Sequence, residues 1–456
     1  MIKESSSFRD PSGYIFRVNN QIYRAINHSY SEDYQFLSSS GLLDKLFQDR
    51  LLVKHEEILL PEADGQGVFA IIKPETIPVI TYPYEWGFSQ LKEAALLTLK
   101  VLTQALEHDM ILKDASAFNV QFRGYKPVFI DTLSFQRYQV GQPWLGYKQF
   151  CEHFLAPLCL TAYMGIEMQK LTRLSVDGIS LEMTSKLLPL KTWFSTVPLF
   201  HIHLHAKSNK FYSVDGKSDK KRARVSKRDL LAMIDHLHNF ISSLKLNKAY
   251  KTQWQDYDLQ THYTNDGRGN KAKIIGKFVN QINARVIWDM GANDGFFSRA
   301  IADPERLILS MDLDPLALEK NFLQNQSQQK ENIYSLVYDV ANPSPDWGWA
   351  NKERSKLTDR STPDAIMALA VIHHLVISNN VPFVEVANYF AQVSKWLIIE
   401  FVPREDEKIN SLPATAGKEN YSRIGFEKGF SDYFEIVDEQ VIKDSKRSIL
   451  LMKRKL

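Results

Sequence analysis

Five short apolar runs, separated by helix-length segments, constrain the fold of this chain more than any other feature. They occupy residues 285–290, 307–311, 335–338, 365–370 and 397–401. Runs without polar alternation are typical of strands buried on both faces, as in a parallel sheet covered by helices. The pattern therefore predicts a doubly wound α/β sheet in the second half of the chain.

The chain ends differently. Strand-like runs at 433–441 and 448–452 are joined only by the short polar link IKDSKR. Strands connected this closely can pair only antiparallel. We therefore predict a parallel sheet that is finished by an antiparallel hairpin.

The first half forms a separate domain, because 456 residues are too many for one ordinary core. Residues 205–228 are polar and charged, and they mark the clearest linker. Ser226, with Asp229 three residues later, predicts a helix N-cap and a helix that reaches residue 244. We predict an N-terminal α+β accessory domain over 1–245 and a second domain over 246–456.

Composition excludes several classes of protein. The net charge of +3 does not favour a nucleic-acid partner, and the basic run at 217–224 is interpreted as a solvated loop. The two cysteines, Cys151 and Cys159, fit a reducing compartment. The N-terminus lacks the apolar core of a signal peptide, and no apolar run reaches the length of a membrane span. We expect a cytoplasmic protein, and its oligomeric state is left open.

The sequence VIWDMGANDGFFS contains the most informative turn. Asp289 ends the first strand, and Gly291, Asn293 and Gly295 form a turn of small residues before a helix. Such a turn lets the backbone approach a ligand closely. A carboxylate at this position would repel the pyrophosphate that G-x-G-x-x-G turns bind, but it suits an ammonium group. S-adenosylmethionine carries an amine and no phosphate.

This motif resembles the first motif of class I S-adenosylmethionine-dependent methyltransferases, and the resemblance covers residues 255–456. It implies a seven-stranded, Rossmann-like sheet with a terminal antiparallel hairpin. It also implies S-adenosylmethionine as the cofactor, with Asp289 and the turn from Gly291 to Gly295 at its methionyl end. The implied reaction is methyl transfer to an oxygen or nitrogen acceptor.

The same resemblance gives roles to acids that follow the next two strands. Asp312, with Asp314 as the alternative, matches the acid that binds the ribose hydroxyls. Asp339 matches the acceptor for the adenine amino group, and the backbone of Val340 would contact the ring. Any one of these acids alone could be a helix cap or turn residue. Their placement after three successive strands is what favours a site.

Candidate catalytic residues lie at the end of the fourth strand, where ligands bind in open α/β sheets. His373 or His374 could remove a proton from an acceptor hydroxyl, or either could form a wall of the site. Glu400 could orient substrate or form a structural salt bridge.

Four aromatic residues are further candidates for the site. Tyr257 or Tyr263 could close over the cofactor, because the segment before the first strand often does so in the methyltransferase family. Trp347 and Trp349 could form a wall of the pocket.

A metal site is weighed and set aside. His201, His203 and His205 alternate, so an extended chain would bring them to one face, where zinc could bind. No acid or cysteine cluster lies nearby in sequence, and methyl transfer needs no metal. We predict no metal ligands.

In the first half, Asp114, Asn119 and Asp131 resemble the catalytic loop and metal-binding acid of protein-kinase-like and aminoglycoside-phosphotransferase-like folds. That resemblance makes Asp114 the base and the other two magnesium ligands. The sequence departs from the pattern: Leu112 replaces the loop histidine, Arg24 replaces the phosphate-pairing lysine, and no glycine-rich loop is present. A pseudokinase-like domain without phosphotransfer, an unrelated α/β domain and an active kinase are therefore all open interpretations.

The stretches SFRDPSGYIFRVNNQIYRAI, NPSPDWGW and ALAVIHHL resemble long bacterial S-adenosylmethionine-dependent methyltransferases, some of them nodulation-related. This resemblance spans nearly the whole chain and carries little about the substrate. We expect a methyltransferase that acts on a small molecule or glycan. The alternatives are a bifunctional kinase-methyltransferase and a non-catalytic S-adenosylmethionine-binding scaffold.

Overall fold

The computed structural model describes residues 1–19, 21–60, 67–207, 224–247, 265–410, 412 and 415–455. Contacts divide the chain into two compact units. Unit 1 comprises Met1–Tyr250 and Asp346–Arg354, and unit 2 comprises Lys251–Pro345 and Ser355–Leu456. The first division lies close to the boundary that we predicted near residue 245. Sequence analysis did not predict that Asp346–Arg354 belongs to unit 1.

The strands of unit 1 are β1 (Ile2–Lys3), β2 (Gly13–Val18), β3 (Gln21–Asn27), β4 (His55–Ile58), β5 (Val68–Pro74), β6 (Met110–Leu112), β7 (Val120–Arg123), β8 (Lys126–Phe129) and β9 (Phe135–Arg137). The first five form an antiparallel sheet in the order β1-β2-β3-β5-β4. The other four form two smaller antiparallel pairs, β6 with β9 and β7 with β8.

The α-helices of unit 1 are α1 (Ser31–Ser39), α2 (Leu42–Gln48), α3 (Phe88–Glu107), α4 (Tyr147–Phe150), α5 (Ala156–Met164), α6 (Leu181–Leu187), α7 (Thr196–Pro198) and α8 (Lys227–Ser243). Shorter or irregular 3-10 and π-helical segments are His28–Tyr30, Pro83–Glu85, Ala117–Asn119, Thr132–Ser134, Cys151–Leu155, Ile166–Arg173, Leu190–Phe194, Leu199–Leu204 and Trp349–Asn351. The Ser226 hydroxyl accepts a hydrogen bond from the Asp229 N–H at 3.1 Å, which confirms the predicted N-cap of α8.

Unit 2 is built on one sheet of seven strands, which are β10 (Val286–Met290), β11 (Leu307–Asp312), β12 (Ile333–Val337), β13 (Ala365–Ala368), β14 (Trp396–Phe401), β15 (Phe434–Val441) and β16 (Ser448–Arg454). Their order in the sheet is β12-β11-β10-β13-β14-β16-β15. The first five are parallel, β16 is antiparallel to β14, and β15 is antiparallel to β16. Each strand lies within two residues of its predicted position, and the terminal hairpin is confirmed.

The helices of unit 2 are α9 (Asn265–Gln281), α10 (Phe296–Ala300), α11 (Pro315–Ser327), α12 (Leu357–Arg360), the π-helical His374–Ser378, α13 (Phe383–Val393), α14 (Glu407–Asn410), α15 (Ala416–Asn420) and α16 (Arg423–Phe430). Apolar residues of α9, including Ile275 and Phe278, pack in one core cluster with Ile287 of β10, Ile308 of β11 and Ile398 of β14. The apolar runs are buried on both faces of the sheet, as the absence of polar alternation predicted. Among the described residues, no helix combines the length and apolarity needed to cross a membrane.

Candidate functional site

A cavity of about 430 Å³ lies at the carboxyl ends of the parallel strands of unit 2. Strand order reverses at β10, which pairs with β11 on one side and β13 on the other. In open α/β sheets, ligands bind beside such a reversal. The cavity has the size of a small-molecule site. Its lining includes Gly291, Asn293, Asp312, Leu313, Tyr338, Asp339, Val340, Ala341, Leu369, Ala370, Val371, His374, Leu375, Ser378, Asn379 and Leu412.

The turn after β10 requires glycine at two positions. Gly291 has a φ of +75° and Gly295 a φ of +77°, both in the left-handed region that favours glycine. A Cβ atom at Gly291 would lie 2.4 Å from Cγ2 of Val371, which also lines the cavity. A Cβ atom at Gly295 would lie 2.2 Å from Oδ1 of Asn321. Gly291 therefore keeps the cavity edge open, whereas Gly295 permits close packing behind it.

Asp312 and Asp314 have different surroundings, which separates the two ribose candidates. Asp312 lines the cavity, and its Oδ2 accepts a hydrogen bond from the Asn293 N–H at 2.7 Å. Burial raises the pKa of Asp312 to about 6, although backbone N–H donors oppose that rise. Asp314 instead caps α11, because its Oδ1 accepts from the Leu316 and Ala317 N–H groups. This geometry favours Asp312 at the cavity and assigns the capping role to Asp314.

Asp289 lies at the end of β10 but is not part of the cavity lining. It is only 1% exposed, and its Oδ2 accepts a hydrogen bond from the Ser298 hydroxyl at 2.6 Å. Its Oδ1 has no hydrogen-bond partner within the described part of the chain. Burial raises the pKa of Asp289 to about 7, while Ser298 and the charge of Lys271 act to lower it. A buried oxygen without a partner is costly unless a ligand or a proton satisfies it.

Asp339 and Val340 follow β12 and line the same cavity as Asp312. Asp339 Oδ1 accepts a hydrogen bond from the Ala341 N–H at 2.9 Å, which fixes the carboxylate in a local turn. Beneath it, the hydroxyl groups of Tyr338 and Tyr389 are 2.8 Å apart and hydrogen-bonded. Structure therefore brings together the predicted residues Gly291, Asn293, Asp312, Asp339 and Val340, and it leaves Asp289 and Gly295 behind the cavity edge.

The two candidate histidines occupy different environments. His374 is half-buried and lines the cavity, whereas His373 is 1% exposed and does not. Their ring centres are 4.1 Å apart. Only His374 is therefore placed to contact a bound molecule. The lining also includes Ser378 and Asn379, which sequence analysis missed because neither belongs to a recognisable motif.

Glu400 belongs to a buried ionic network in unit 2. Its Oε2 is 2.6 Å from Lys271 Nζ, and its Oε1 is 3.4 Å from Arg447 Nη1. Arg447 also contacts both carboxylate oxygens of Asp406, at 2.7 and 2.9 Å. Burial lowers the pKa of Lys271, and Glu400 opposes that change. Of the two predicted alternatives for Glu400, the structure shows the salt bridge.

Several aromatic candidates do not join the cavity. Trp347 and Trp349 belong to the Asp346–Arg354 segment of unit 1, and neither is among the residues that line the cavity of unit 2. Their role in a pocket wall stays a prediction. Trp347 packs edge-on against Tyr84 at 5.4 Å, and Trp349 is 70% exposed. They were predicted to lie at the cavity because they follow β12 in the sequence. Tyr257 and Tyr263 lie outside the described residues.

The alternating histidines lie on a helix rather than on an extended segment. His203 is bonded to Ser185 Oγ at 2.8 Å and Thr192 Oγ1 at 2.9 Å, and His201 is bonded to the Tyr147 hydroxyl at 2.6 Å. The condition for a one-face arrangement, an extended chain, is therefore not met, and helical periodicity separates residues that are two positions apart. No cluster of three or more potential metal ligands occurs in the described ranges.

In unit 1, Asp114 and Asn119 lie between β6 and β7, and Asp131 follows β8. Arg24 Nη1 is 2.5 Å from Asp131 Oδ1, so the acid has a cationic partner. Asn119 Nδ2 donates to Ser134 Oγ at 3.1 Å. Burial raises the pKa of Asp114, and the negative charge of Asp131 adds to this effect.

The seven-stranded sheet of unit 2 and its terminal antiparallel hairpin agree with the layout that the methyltransferase resemblance implied. Over 460 residues, the chain is 35% identical to the nodulation protein NoeA of Rhizobium meliloti (strain 1021), and the match covers 99% of this chain and 96% of that protein. The chain therefore belongs to the family of this protein. No family model matches the chain.

Solved methyltransferases are similar to less than half of the chain. The N-methyltransferase NodS of Bradyrhizobium japonicum WM9 is 11% identical, with a TM-score of 0.32, over 42% of this chain and 97% of that one. Magnesium protoporphyrin IX methyltransferase (ChlM) of Synechocystis PCC 6803, solved with bound S-adenosylmethionine, is 14% identical, with a TM-score of 0.30, over 45% of this chain and 86% of that one. The fold of unit 2 is defined by the order and the directions of its seven strands.

Proposed function

We propose that this protein transfers a methyl group from S-adenosylmethionine to an oxygen or nitrogen atom of a small molecule or carbohydrate. One observation supports the proposal most strongly. Asp312 and Asp339, at the ends of adjacent strands, line one cavity together with the bare turn at Gly291. Asp312 would accept hydrogen bonds from the ribose hydroxyls and Asp339 from the adenine amino group. Because S-adenosylmethionine has no phosphate, the two carboxylates would not repel it.

The residues at the cavity edge fit the remaining part of this cofactor. Its amino-acid end carries an ammonium group, and Asp289 offers a buried carboxylate whose Oδ1 has no protein partner among the described residues. At Gly291, any side chain would fill the space beside Val371. We propose that Asp289 stabilises the ammonium charge and that Gly291 admits the amino-acid chain.

The cofactor supplies a methyl group that is already strongly electrophilic, so the protein mainly aligns the acceptor and accepts its proton. His374 is the titratable lining residue at the end of β13 that can accept a proton from an acceptor hydroxyl. Leu369, Val371 and Leu375 give the same region an apolar wall that limits water. His373 is assigned a structural role, because it is buried away from the cavity.

Calorimetric titration of the full chain with S-adenosylhomocysteine tests the binding step. We expect one site per chain and a loss of about 10-fold to 100-fold in affinity for Asp312→Asn, since a charge-assisted hydrogen bond is lost. Transfer of a labelled methyl group to a panel of hydroxyl and amine acceptors tests the reaction. His374→Ala should lower kcat while leaving cofactor affinity near that of the wild type.

The outcomes separate the alternatives. Absence of binding would reject the proposal, whereas tight binding without transfer to any acceptor would favour the non-catalytic scaffold. His373→Ala is the control for the histidine: an equal loss of kcat in both variants would argue against a specific role for His374.

We further propose that unit 1 is an accessory domain with a kinase-like arrangement that no longer transfers phosphate. The proposal is supported by one contact: Arg24 Nη1 lies 2.5 Å from Oδ1 of Asp131, so a cation already neutralises the acid that the resemblance makes a magnesium ligand. Titration with Mg-ATP should show no binding. Binding with phosphate release that Asp131→Asn abolishes would instead support the bifunctional enzyme.

A further inference from the structure

Three helical segments of unit 1 that lie close together in the sequence expose large apolar side chains. These segments are α6, Leu190–Phe194 and Leu199–Leu204. Phe194 is 90% exposed and Leu190 is 80% exposed, which is unusual for side chains of this size. Leu187, Phe200 and Leu204 are exposed as well. Together with Lys186, Lys191 and Lys207, these five residues are called here the apolar-lysine surface.

The opposite faces of the same segments are well packed, so the exposed residues are not a sign of loose structure. The imidazole of His203 is 2.8 Å from Ser185 Oγ and 2.9 Å from Thr192 Oγ1, and its ring stacks on Trp193 with centres 4.2 Å apart. This one side chain therefore connects all three segments. Ile202 is buried beside it. The outward side chains consequently share a single supporting scaffold.

The segment that carries this surface has charge of one sign. Between Glu182 and Asp215 the sequence contains no acidic residue, whereas Lys186, Lys191 and Lys207 are present and exposed. Within the described part of the chain, none of these lysines forms an ion pair; Lys191 Nζ lies 5.4 Å from the Tyr163 ring centre and Lys207 Nζ lies 4.6 Å from that of Trp193. The surface thus combines exposed aliphatic and aromatic groups with ammonium groups that no described carboxylate neutralises.

We propose that the apolar-lysine surface binds the headgroup layer of an anionic lipid bilayer, so that the protein lies on a membrane without crossing it. Leucine and phenylalanine beside lysine are the composition of interfacial helices, in which apolar tips enter the acyl boundary and ammonium groups contact anionic headgroups. Protein interfaces favour arginine and are depleted in lysine, which makes a protein partner the poorer fit. At such a boundary the exposed Phe194 ring would bury its apolar area in the acyl region.

Cosedimentation of the full chain with lipid vesicles tests this assignment. We expect binding to vesicles of phosphatidylcholine with phosphatidylglycerol, little binding to phosphatidylcholine alone, and release when salt is raised. The double variant Leu190→Ser with Phe194→Ser should reduce vesicle affinity by about tenfold or more. Lys191→Glu should reduce it by about tenfold, because attraction becomes repulsion.

Two variants with similar exposure serve as controls. Val140→Ser removes another highly exposed apolar side chain of unit 1, and Lys100→Glu reverses an exposed charge on α3. Both should bind vesicles as the wild type does, and thermal unfolding should show that all variants fold. Equal binding by all variants, or no binding by the wild type, would overturn the proposal. A wild-type dimer that Phe194→Ser dissociates, with no vesicle binding, would identify the surface as a self-contact instead.

Discussion

Replacing Asp289 by asparagine should have opposite effects on stability and on cofactor affinity. The substitution keeps the shape of the side chain and the hydrogen bond from Ser298, but it removes the charge. Burial raises the pKa of this acid from 3.8 to about 7, so the ligand-free fold is destabilised by ionising it. At about 1.4 kcal/mol for each pH unit, that rise corresponds to about 4 kcal/mol above neutral pH.

The net stabilisation by Asp289→Asn should be smaller than this. The new amide group takes the place of an oxygen that had no hydrogen-bond partner among the described residues, so its N–H groups would lack an acceptor there. A buried unsatisfied polar group costs about 1–3 kcal/mol. We therefore expect Asp289→Asn to raise the free energy of unfolding at pH 8 by about 1–3 kcal/mol. For a unit of this size that is a rise of several degrees in Tm, measurable by thermal unfolding without ligand.

The pH dependence gives the sign of the effect independently. Because the folded-state pKa of Asp289 is raised, the folded protein binds more protons than the unfolded chain between pH 4 and pH 7. Stability of the ligand-free wild type should therefore fall as pH rises through this window. Asp312, with a pKa of about 6, acts in the same direction. Asp289→Asn should flatten the part of this slope nearest pH 7.

Cofactor affinity should change in the other direction. An ammonium ligand favours the ionised acid, so wild-type affinity for S-adenosylhomocysteine should increase as pH rises through about 7. Asp289→Asn should bind about 10-fold to 100-fold more weakly at pH 8 and lose most of this pH dependence. Calorimetry at several pH values measures both. Unchanged affinity with an unchanged pH profile would refute a role for Asp289 at the ammonium group.

Three further predictions follow from the geometry of unit 2. Gly291→Ala should weaken S-adenosylhomocysteine binding by at least about tenfold and lower Tm, because its Cβ atom would clash with Val371 and its φ is positive. The control Gly276→Ala, on an open face of α9, should be neutral or stabilising by up to about 1 kcal/mol. Asp314→Ala should cost about 1 kcal/mol of stability by denaturant unfolding with normal cofactor affinity, the reverse of the pattern for Asp312→Asn. Glu400→Gln should lower the free energy of unfolding by about 3–5 kcal/mol, since it leaves two buried cations without their shared carboxylate, and a loss below about 1 kcal/mol would contradict this account.

The sheet of unit 2 could be predicted because its determinants are local. Continuous apolar runs identify strands that are buried on both faces, and the short link at 442–447 permits only an antiparallel pair. The cavity acids were predictable for the same reason, because parallel strands place their carboxyl ends at one edge of a sheet. Separating Asp312 from Asp314 required coordinates, since the hydrogen bonds that each accepts are not encoded by residue type.

Other features depend on contacts between residues that are distant in sequence. Lys271 and Glu400 are 129 positions apart, and no local pattern connects them. Likewise, the Glu353 carboxylate is paired with Arg9, which anchors Asp346–Arg354 in unit 1 although the neighbouring residues on both sides belong to unit 2. The helical conformation at 199–204 could not be predicted from the alternating histidines, because an alternating pattern does not reveal a helix that is stabilised by its neighbours.

Two unfavourable backbone conformations and one unfavourable buried charge of unit 2 lie at or next to the candidate site. Ala370 and Asn293 both line the cavity with positive φ values of 55° and 49°, which for alanine is a strained conformation. Asp289, in the strand that leads to the Gly291 turn, has an oxygen that lacks a protein partner among the described residues. Each of these residues lowers the stability of the fold, so selection for stability alone would favour replacing it. The buried apolar core of the sheet compensates for the stability that they cost. A bound ligand would explain why these features lie at the point where strand order reverses. A cationic nucleoside bound there would satisfy the Asp289 carboxylate and contact the exposed turn.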